Sequence, residues 1–305
     1  MNPLNQQERG RRTGLGEPGP GRERFPLWGT TATVAVTEPR RLGVARHAVD
    51  RVVADIGAAC DAYRGGSDLA RVHAAAGHPV RVGATFHALL WTALHAAEVT
   101  GGGADPLVRA PKGAWRSIVI DDPPGTVLLP PGTTLDLWPT AKVFAVDRAA
   151  ELAAGEAGCG VLVSLDGKIS VAGALPARGW RLRLTDDLDD ARGDDDPFGQ
   201  DIVLRMQCGL VTRALTAADR PALNGGTGVT WLIDRLASRS ARGPWRTISV
   251  VADSCVDADT ACIAAAAHGP EAAEWLKSLG LAARTVHEDG WALTIGDWPA
   301  VSSSS

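Results

Sequence analysis

The stretch LDLWPTAKVFAVD, residues 135–147, concentrates more chemistry than any other of its length. Its pattern reads as an extended segment running into a helix, with Pro139 at the first helical position, where a missing N–H is no loss and the fixed φ is already helical. A join of this kind can seat a ligand when its residues are small. Here Trp138 stands at the turn, a side chain that buries about 150–250 Å² and fills whatever space it enters. Asp136 and Lys142 flank it, an acid and a base within one helical turn or two of the indole.

Other reactive residue types give less. His47, His73, His78, His87, His95, His268 and His287 fall mostly on predicted helices or turns. His87 and His95 share a helix two turns apart, yet no carboxylate partner marks them as metal ligands. Cys60, Cys159, Cys208, Cys255 and Cys262 are scattered with no CxxC pair, which argues against structural zinc and fits a reducing compartment. Cys255 and Cys262 read as small core residues. The acidic run DDLDDARGDDDPFGQD (186–201) lacks the glycine and terminal glutamate spacing of a calcium loop and reads as solvated.

The elements that must position these groups sit in a chain of 305 residues, 45% hydrophobic, with a net charge of −4. No Lys/Arg stripe with interleaved aromatics points to nucleic acid. No run of about 18 apolar residues points to a membrane span or secretory signal, so the expected setting is cytoplasmic. Ten Trp against one Tyr and four Phe suggest indoles in the core or a pocket. Residues 1–25 read as a disordered arm, 26–300 as one domain and 301–305 as a flexible tail. Within the domain, 28–37 reads as a first strand, 41–73 and 85–102 as helices, and 139–154 as a third helix. Residues 160–173 form a hairpin about Asp166-Gly167, a favoured tight turn. GWRLRLTD continues the sheet, DIVLRM, GLVTRAL and 245–253 are strands, and 257–269 and 271–280 are short helices. A hairpin about Asp289-Gly290 closes the chain. Strands and helices mix without βαβ alternation, so the class is α+β with a mixed, largely antiparallel sheet and packed helices.

The order and spacing of WGTTA, GSDLARVH, ADP (104–106), LDL..TAK..AVDRAAELAA, GVLVSLDGKISVAG, GPWRTISVVADSC and EWLKSLGLAARTV resemble the ApbE family of FAD:protein FMN transferases, in its actinobacterial form, from Trp28 to Pro299. The resemblance implies the flavin-transferase fold and a magnesium-dependent enzyme. Such an enzyme splits FAD at its pyrophosphate, places FMN on a threonine hydroxyl of a target protein and releases AMP. At the join, the family's Asp-Leu-Gly-Gly/Ala-x-Ala-Lys-Gly becomes Asp136-Leu137-Trp138-Pro139-Thr140-Ala141-Lys142-Val143, keeping a carbonyl for the metal at Pro139. Asp259 matches the metal carboxylate, but the threonine of that motif is Ile263, which offers no oxygen to a hard cation. Where the family has His-x-x-Asp-Pro-x-Thr-Gly, Trp231 replaces the histidine and Asp234 remains. The family's Thr-Ser is Thr212-Arg213, and its Gly-Gly-Asp hairpin is Asp166-Gly167-Lys168. Tyr63 and His73 border the substrate-facing SDLARVH.

Taken together, these departures lead to the expectation that FMN transfer is lost, that no FAD or magnesium is used and that Asp259 is vestigial. The expected activity is metal-free acid/base chemistry, a cyclisation, dehydration or isomerisation of an apolar secondary metabolite. Asp136, Lys142, Asp166, Lys168, Arg213 and Asp234 would move protons, and Trp138, Pro139, Trp231, Tyr63 and His73 would line the substrate. Two alternatives stand beside it: a divergent magnesium-dependent FAD:protein FMN transferase, and a non-catalytic binding or scaffold protein.

Overall fold

The first hairpin pairs β1 (Arg22–Leu27) with β2 (Thr30–Val36). The computed structural model describes residues 21–61, 64–75, 77–108, 110–121, 125–184, 199–215 and 243–301. Residues 22–25, read from sequence as part of an arm, thus lie in a strand. Its charges hid it: Arg22, Glu23 and Arg24 suit the rim of a sheet, while Phe25 is buried with the Arg46 guanidinium 3.5 Å above its ring.

The helix read over 41–73 is two helices, α1 (Leu42–Cys60) and α2 (Asp68–Ala74). Ser67 starts the second by accepting the Ala70 N–H at 3.1 Å, a side-chain cap that satisfies an orphan donor. α3 (Ala84–Val99) follows a short strand, β3 (Val80–Arg81), which joins β4 (Val119–Asp121) and β5 (Thr126–Leu128) in a small three-stranded sheet ordered β3-β5-β4. α4 (Trp138–Ala157) carries an alanine-rich face and stops at Gly158 in the left-handed region.

The remaining strands are β6 (Val161–Leu165), β7 (Lys168–Ala172), β8 (Trp180–Leu184), β9 (Gln200–Leu204), β10 (Cys208–Ala214), β11 (Trp245–Ala252), β12 (Ala282–His287) and β13 (Ala292–Ile295). Between β11 and β12 come α5 (Cys255–Ala267) and α6 (Ala272–Ser278). Eight strands form one antiparallel sheet in the order β1-β2-β6-β7-β10-β11-β12-β13. β8 does not continue it as expected; it pairs with β9 in a separate ribbon. The reason is its own alternation: Trp180, Leu182 and Leu184 point inward and pack on a face of the large sheet already offering Leu162, Ile169, Val171 and Leu210.

The other face of the sheet carries the larger core, with Val163, Leu165, Val211, Ile248 and Val250 against α1, α4 and α5. Strand periodicity therefore decides which residues meet the helices: on β7 and β10 the alternation turns Lys168, Ser170, Val211 and Arg213 to the helical side. At Gly209 a Cβ would lie 2.0 Å from the Cys255 nitrogen, so the absent side chain is what lets α5 sit directly on β10. Among the described residues, no helix is long and apolar enough to cross a membrane.

Candidate functional site

One end of the large sheet gathers the β6–β7 turn, the end of β10, the start of α4 and the middle of α5. The β6–β7 turn is Asp166-Gly167, with φ of 49° and 76°, the two-residue hairpin geometry read from the sequence. The β1–β2 turn is Trp28-Gly29, also with φ of 49° and 76°, and here the first position is held by a tryptophan, a bulky residue rarely found in that region.

The entry to α4 is pinned from both sides. The Trp138 N–H donates to Asp136 Oδ1 at 2.9 Å, and the Asp136 N–H donates to the Pro106 carbonyl at 2.8 Å. His73 lies behind, its Nε2 accepting the Leu135 N–H at 3.1 Å. Burial pushes the His73 pKa down, and an accepting Nε2 must in any case be bare. His73 therefore positions the backbone of the join and does not line the cavity in front of it. The Trp138 ring turns sideways onto Trp28, centroids 4.8 Å apart and planes at 63°. The indole expected to line or plug a cleft is an edge-to-face partner for the other hairpin turn.

Five side chains, Lys142, Asp166, Lys168, Arg213 and Asp259, converge at this end of the sheet. Lys142 Nζ is 3.2 Å from Asp166 Oδ2. Lys168 Nζ donates to the Asp166 carbonyl at 2.9 Å and lies 3.7 Å from its carboxylate. Burial lowers the Lys168 pKa, against the pull of Asp166 and Asp259, while Lys142 and Arg213 add to the lowering. Arg213 reaches from β10 to Asp259 on α5 through two bonds, Nε to Oδ1 and Nη2 to Oδ2, both 2.7 Å. Burial works against that guanidinium, but the charge and hydrogen bonds of Asp259 outweigh it and raise its pKa.

α5 is held at its N-terminus. Ser254 Oγ accepts the Asp257 N–H at 3.0 Å, and Asp147 of α4 accepts the Cys255 and Val256 N–H groups at 2.9 and 3.1 Å. Burial pushes the Asp147 carboxyl up, and the two backbone donors pull it partly back. A cavity of about 20 Å³, room for roughly one water, is lined by Asp136, Pro139, Thr140, Arg213, Asp259 and Ile263 among others.

Asp136, Trp138, Pro139, Lys142, Asp166, Lys168, Arg213 and Asp259 are thus brought to one end of the sheet. Asp136, Pro139, Arg213 and Asp259 border the cavity itself. Tyr63, Trp231 and Asp234 lie outside the described residues. Sequence reasoning missed Trp28, Thr140 and Asp147. The last had a signal: a lone acid on the Val143, Val146, Ala150 face of α4 needs a buried partner.

In the arrangement described, the donor set does not fit a magnesium ion. Both oxygens of Asp259 face the Arg213 guanidinium at 2.7 Å, and Ile263, one turn on, supplies no oxygen. Among the described residues, no group of three or more His, Cys, Asp or Glu could hold a metal ion.

A family model described as the ApbE family matches residues 28–285. No curated protein matches the chain. Among solved structures, the ApbE protein of Thermotoga maritima is similar at 19% identity and TM-score 0.72, over 90% of this chain and 96% of that one. The apo flavinyl transferase ApbE of Pseudomonas stutzeri is similar at 18% identity and TM-score 0.70, over 90% and 93%. The flavin transferase ApbE of Vibrio cholerae is similar at 16% identity and TM-score 0.66, over 92% and 99%. At these identities the structures establish the fold, an α+β flavin-transferase architecture.

The family match overturns two expectations. One was the replacement of FMN transfer by metal-free cyclisation, dehydration or isomerisation. The other was the absence of FAD and magnesium among the protein's ligands. Both leaned on single side chains judged as lost ligands or plugs. The structure removes part of that ground, since the Trp138 ring packs on Trp28 and is not among the residues that line the cavity.

Proposed function

Because the chain belongs to the ApbE family, a family of flavin-transferring enzymes, we propose that it is a divergent FAD:protein FMN transferase, carried by one domain over residues 26–300. The observation that supports this reading is the charge cluster at the sheet end. Three cations, Lys142, Lys168 and Arg213, stand among three carboxylates, Asp136, Asp166 and Asp259, in a setting mostly withdrawn from water. Two ammonium groups and a guanidinium held so near one another offer charge-assisted hydrogen bonds to the diphosphate of a dinucleotide.

The reaction asks for little covalent chemistry from the protein. An acceptor threonine oxygen attacks the phosphorus of the FMN half, the bond to the bridging oxygen breaks, and AMP leaves with that oxygen while the hydroxyl proton passes to water. Negative charge builds on the bridging and equatorial oxygens, and fixed cations in a low-dielectric site stabilise it at no reorganisation cost. Lys142 and Lys168 are themselves fixed by Asp166, so their ammonium groups are placed before substrate arrives. Asp136 keeps the α4 entry in register, and His73 holds the residue before it.

FAD and a target protein are the partners of this reading, and the buried, free cysteines suit a reducing, cytoplasmic setting. The test is to incubate the purified chain with FAD, magnesium chloride and a threonine-bearing acceptor peptide. An FMN adduct on the peptide is expected in the mass spectrum, with AMP in equal amount. A preparation that yields neither rejects the proposal.

A further inference from the structure

The eight-stranded sheet has two edges, and they are built differently. β1, at one side, carries Arg22, Glu23, Arg24 and Pro26, charges and a proline of the kind that keep an edge from pairing with another chain. β13, at the other, has no such device, for Trp291 to Ile295 hold no charge and no proline. The Trp291 carbonyl accepts the His287 N–H at 2.8 Å. In that register Trp291, Leu293 and Ile295 turn their main chain to β12, and Ala292 and Thr294 turn theirs outward. Among the described residues, no strand pairs with the outer side.

The side chains along this edge are apolar and open to solvent. Trp291 is 51% exposed and Leu293 41%, on the same strand face as the buried Ile295. Leu279, just past the end of α6, is 54% exposed, and α6 packs over β12 and β13. Trp291 lies flat on His287 at 4.6 Å, with Trp245 edge-on at 5.5 Å, so its ring is fixed before anything binds. Antiparallel pairing from β10 through β11 and β12 brings the β12–β13 turn to the same end of the sheet as Arg213, three strand spacings or about 14 Å away.

We propose that β13 is a docking edge for the acceptor protein, which adds an extended segment of its own as a ninth strand, apolar at alternate positions and with Lys or Arg at both ends. That the partner is the acceptor rests on the transfer reading; the strand pairing does not. Main-chain bonds to Ala292 and Thr294 hold the segment, and its alternate side chains meet Trp291 and Leu293.

Charge and area choose this occupant over a second copy of the chain. Across residues 272–297, Glu274, Glu288, Asp289 and Asp297 stand against Lys277 and Arg284, and Arg284 is buried. Asp289 and Asp297 bracket the strand. Two copies pairing edge to edge, Ala292 against Thr294, would set Asp289 of one toward Asp297 of the other at both ends, and opposed like charges destabilise a sheet. Three half-exposed side chains also fall far short of the about 800 Å² per partner of a stable dimer. A segment flanked by basic residues meets neither obstacle.

The probe is a peptide of alternating Val and Thr with paired Lys at each end, titrated calorimetrically into the full chain without FAD, with amide hydrogen exchange followed by NMR. Wild type is expected to bind it, with exchange at Ala292 and Thr294 slowed at least tenfold. Thr294→Pro removes one outward N–H and no bond to β12, and Leu293→Lys plants a charge on the edge. Both are expected to melt near wild type and to bind at least tenfold more weakly. Asp289→Asn/Asp297→Asn is expected to lose affinity for the Lys-flanked peptide and none for a Ser-flanked one. Wild type that binds no peptide, unchanged exchange at the two amides, edge variants that bind like wild type, or a dimer dispersed by Leu293→Lys each overturns the proposal. Joined to the threonine acceptor peptide, the same segment is expected to lower KM for transfer at least tenfold in wild type and to leave it unchanged in Leu293→Lys. Transfer without that gain in KM overturns docking of the acceptor, whereas binding without any transfer rejects the flavin reading and leaves the docking edge standing.

Discussion

Two carboxylates are buried against α5, and they are held in opposite ways. Asp147 reaches across from α4 and takes two backbone N–H groups at the start of α5, donors that cannot leave without unwinding the helix. Asp259, one turn further along, faces a side chain, the guanidinium of Arg213. Both acids are almost wholly withdrawn from solvent, at 9% and 5% exposure. The first arrangement is a permanent joint between two helices. The second joins two side chains, which have rotamers where a helix terminus has none. The site therefore borders Asp259, and the scaffold that aims it runs through Asp147.

Substitutions sharpen the contrast. The largest loss is expected for Arg213→Gln alone, which leaves Asp259 as an uncompensated buried charge at a cost of about 3–5 kcal/mol in urea unfolding. Adding Asp259→Asn should bring the protein back to within about 1 kcal/mol of wild type, since both charges are then gone. Failure of that recovery would mean the pair is structural and would erase the distinction drawn above.

Asp147→Asn comes next, at about 1–3 kcal/mol, because an amide offers one acceptor to two buried donors and turns its own N–H₂ toward the other. No second substitution should fully restore it, as two of its partners are the main-chain N–H groups of Cys255 and Val256. Equal rescue of Asp147→Asn by a change on α5 would break the comparison from the other side.

The smallest effect concerns pH. Burial holds the His73 pKa below its ordinary 6.5, so the unfolded chain binds the proton more readily than the folded one. The stability that His73 contributes is full above pH 6.5 and is lost as pH falls through the folded value. Urea midpoints measured from pH 8 down to 5 should drop more steeply for wild type than for His73→Gln, whose amide oxygen can still accept the Leu135 N–H. Parallel curves would remove His73 from the joint.

Much of the architecture could be read from the residues alone. The Asp166-Gly167 turn, the start of α4 at Trp138-Pro139 and the buried β11 each follow from local chemistry, and local chemistry is what a sequence displays. What escaped notice is non-local. β1 was obscured by rim charges that only matter once β2 lies beside them. The break between α1 and α2 depends on a serine cap that periodicity does not register. β8 pairs with β9 rather than the large sheet because of an apolar face whose partner is far along the chain. At the site, the direction of Trp138 is set by Trp28, more than a hundred residues earlier. Reading that indole as a plug gave side-chain identity a weight that position alone could correct.

The most direct test of the account follows AMP released from FAD, with magnesium and a threonine-bearing acceptor, by wild type and by the Arg213→Gln/Asp259→Asn variant of near-equal stability. The account predicts AMP matched by FMN gained on the acceptor for wild type, and at least a tenfold slower release for the variant. Equal rates in the two proteins, or no release from wild type, would contradict it.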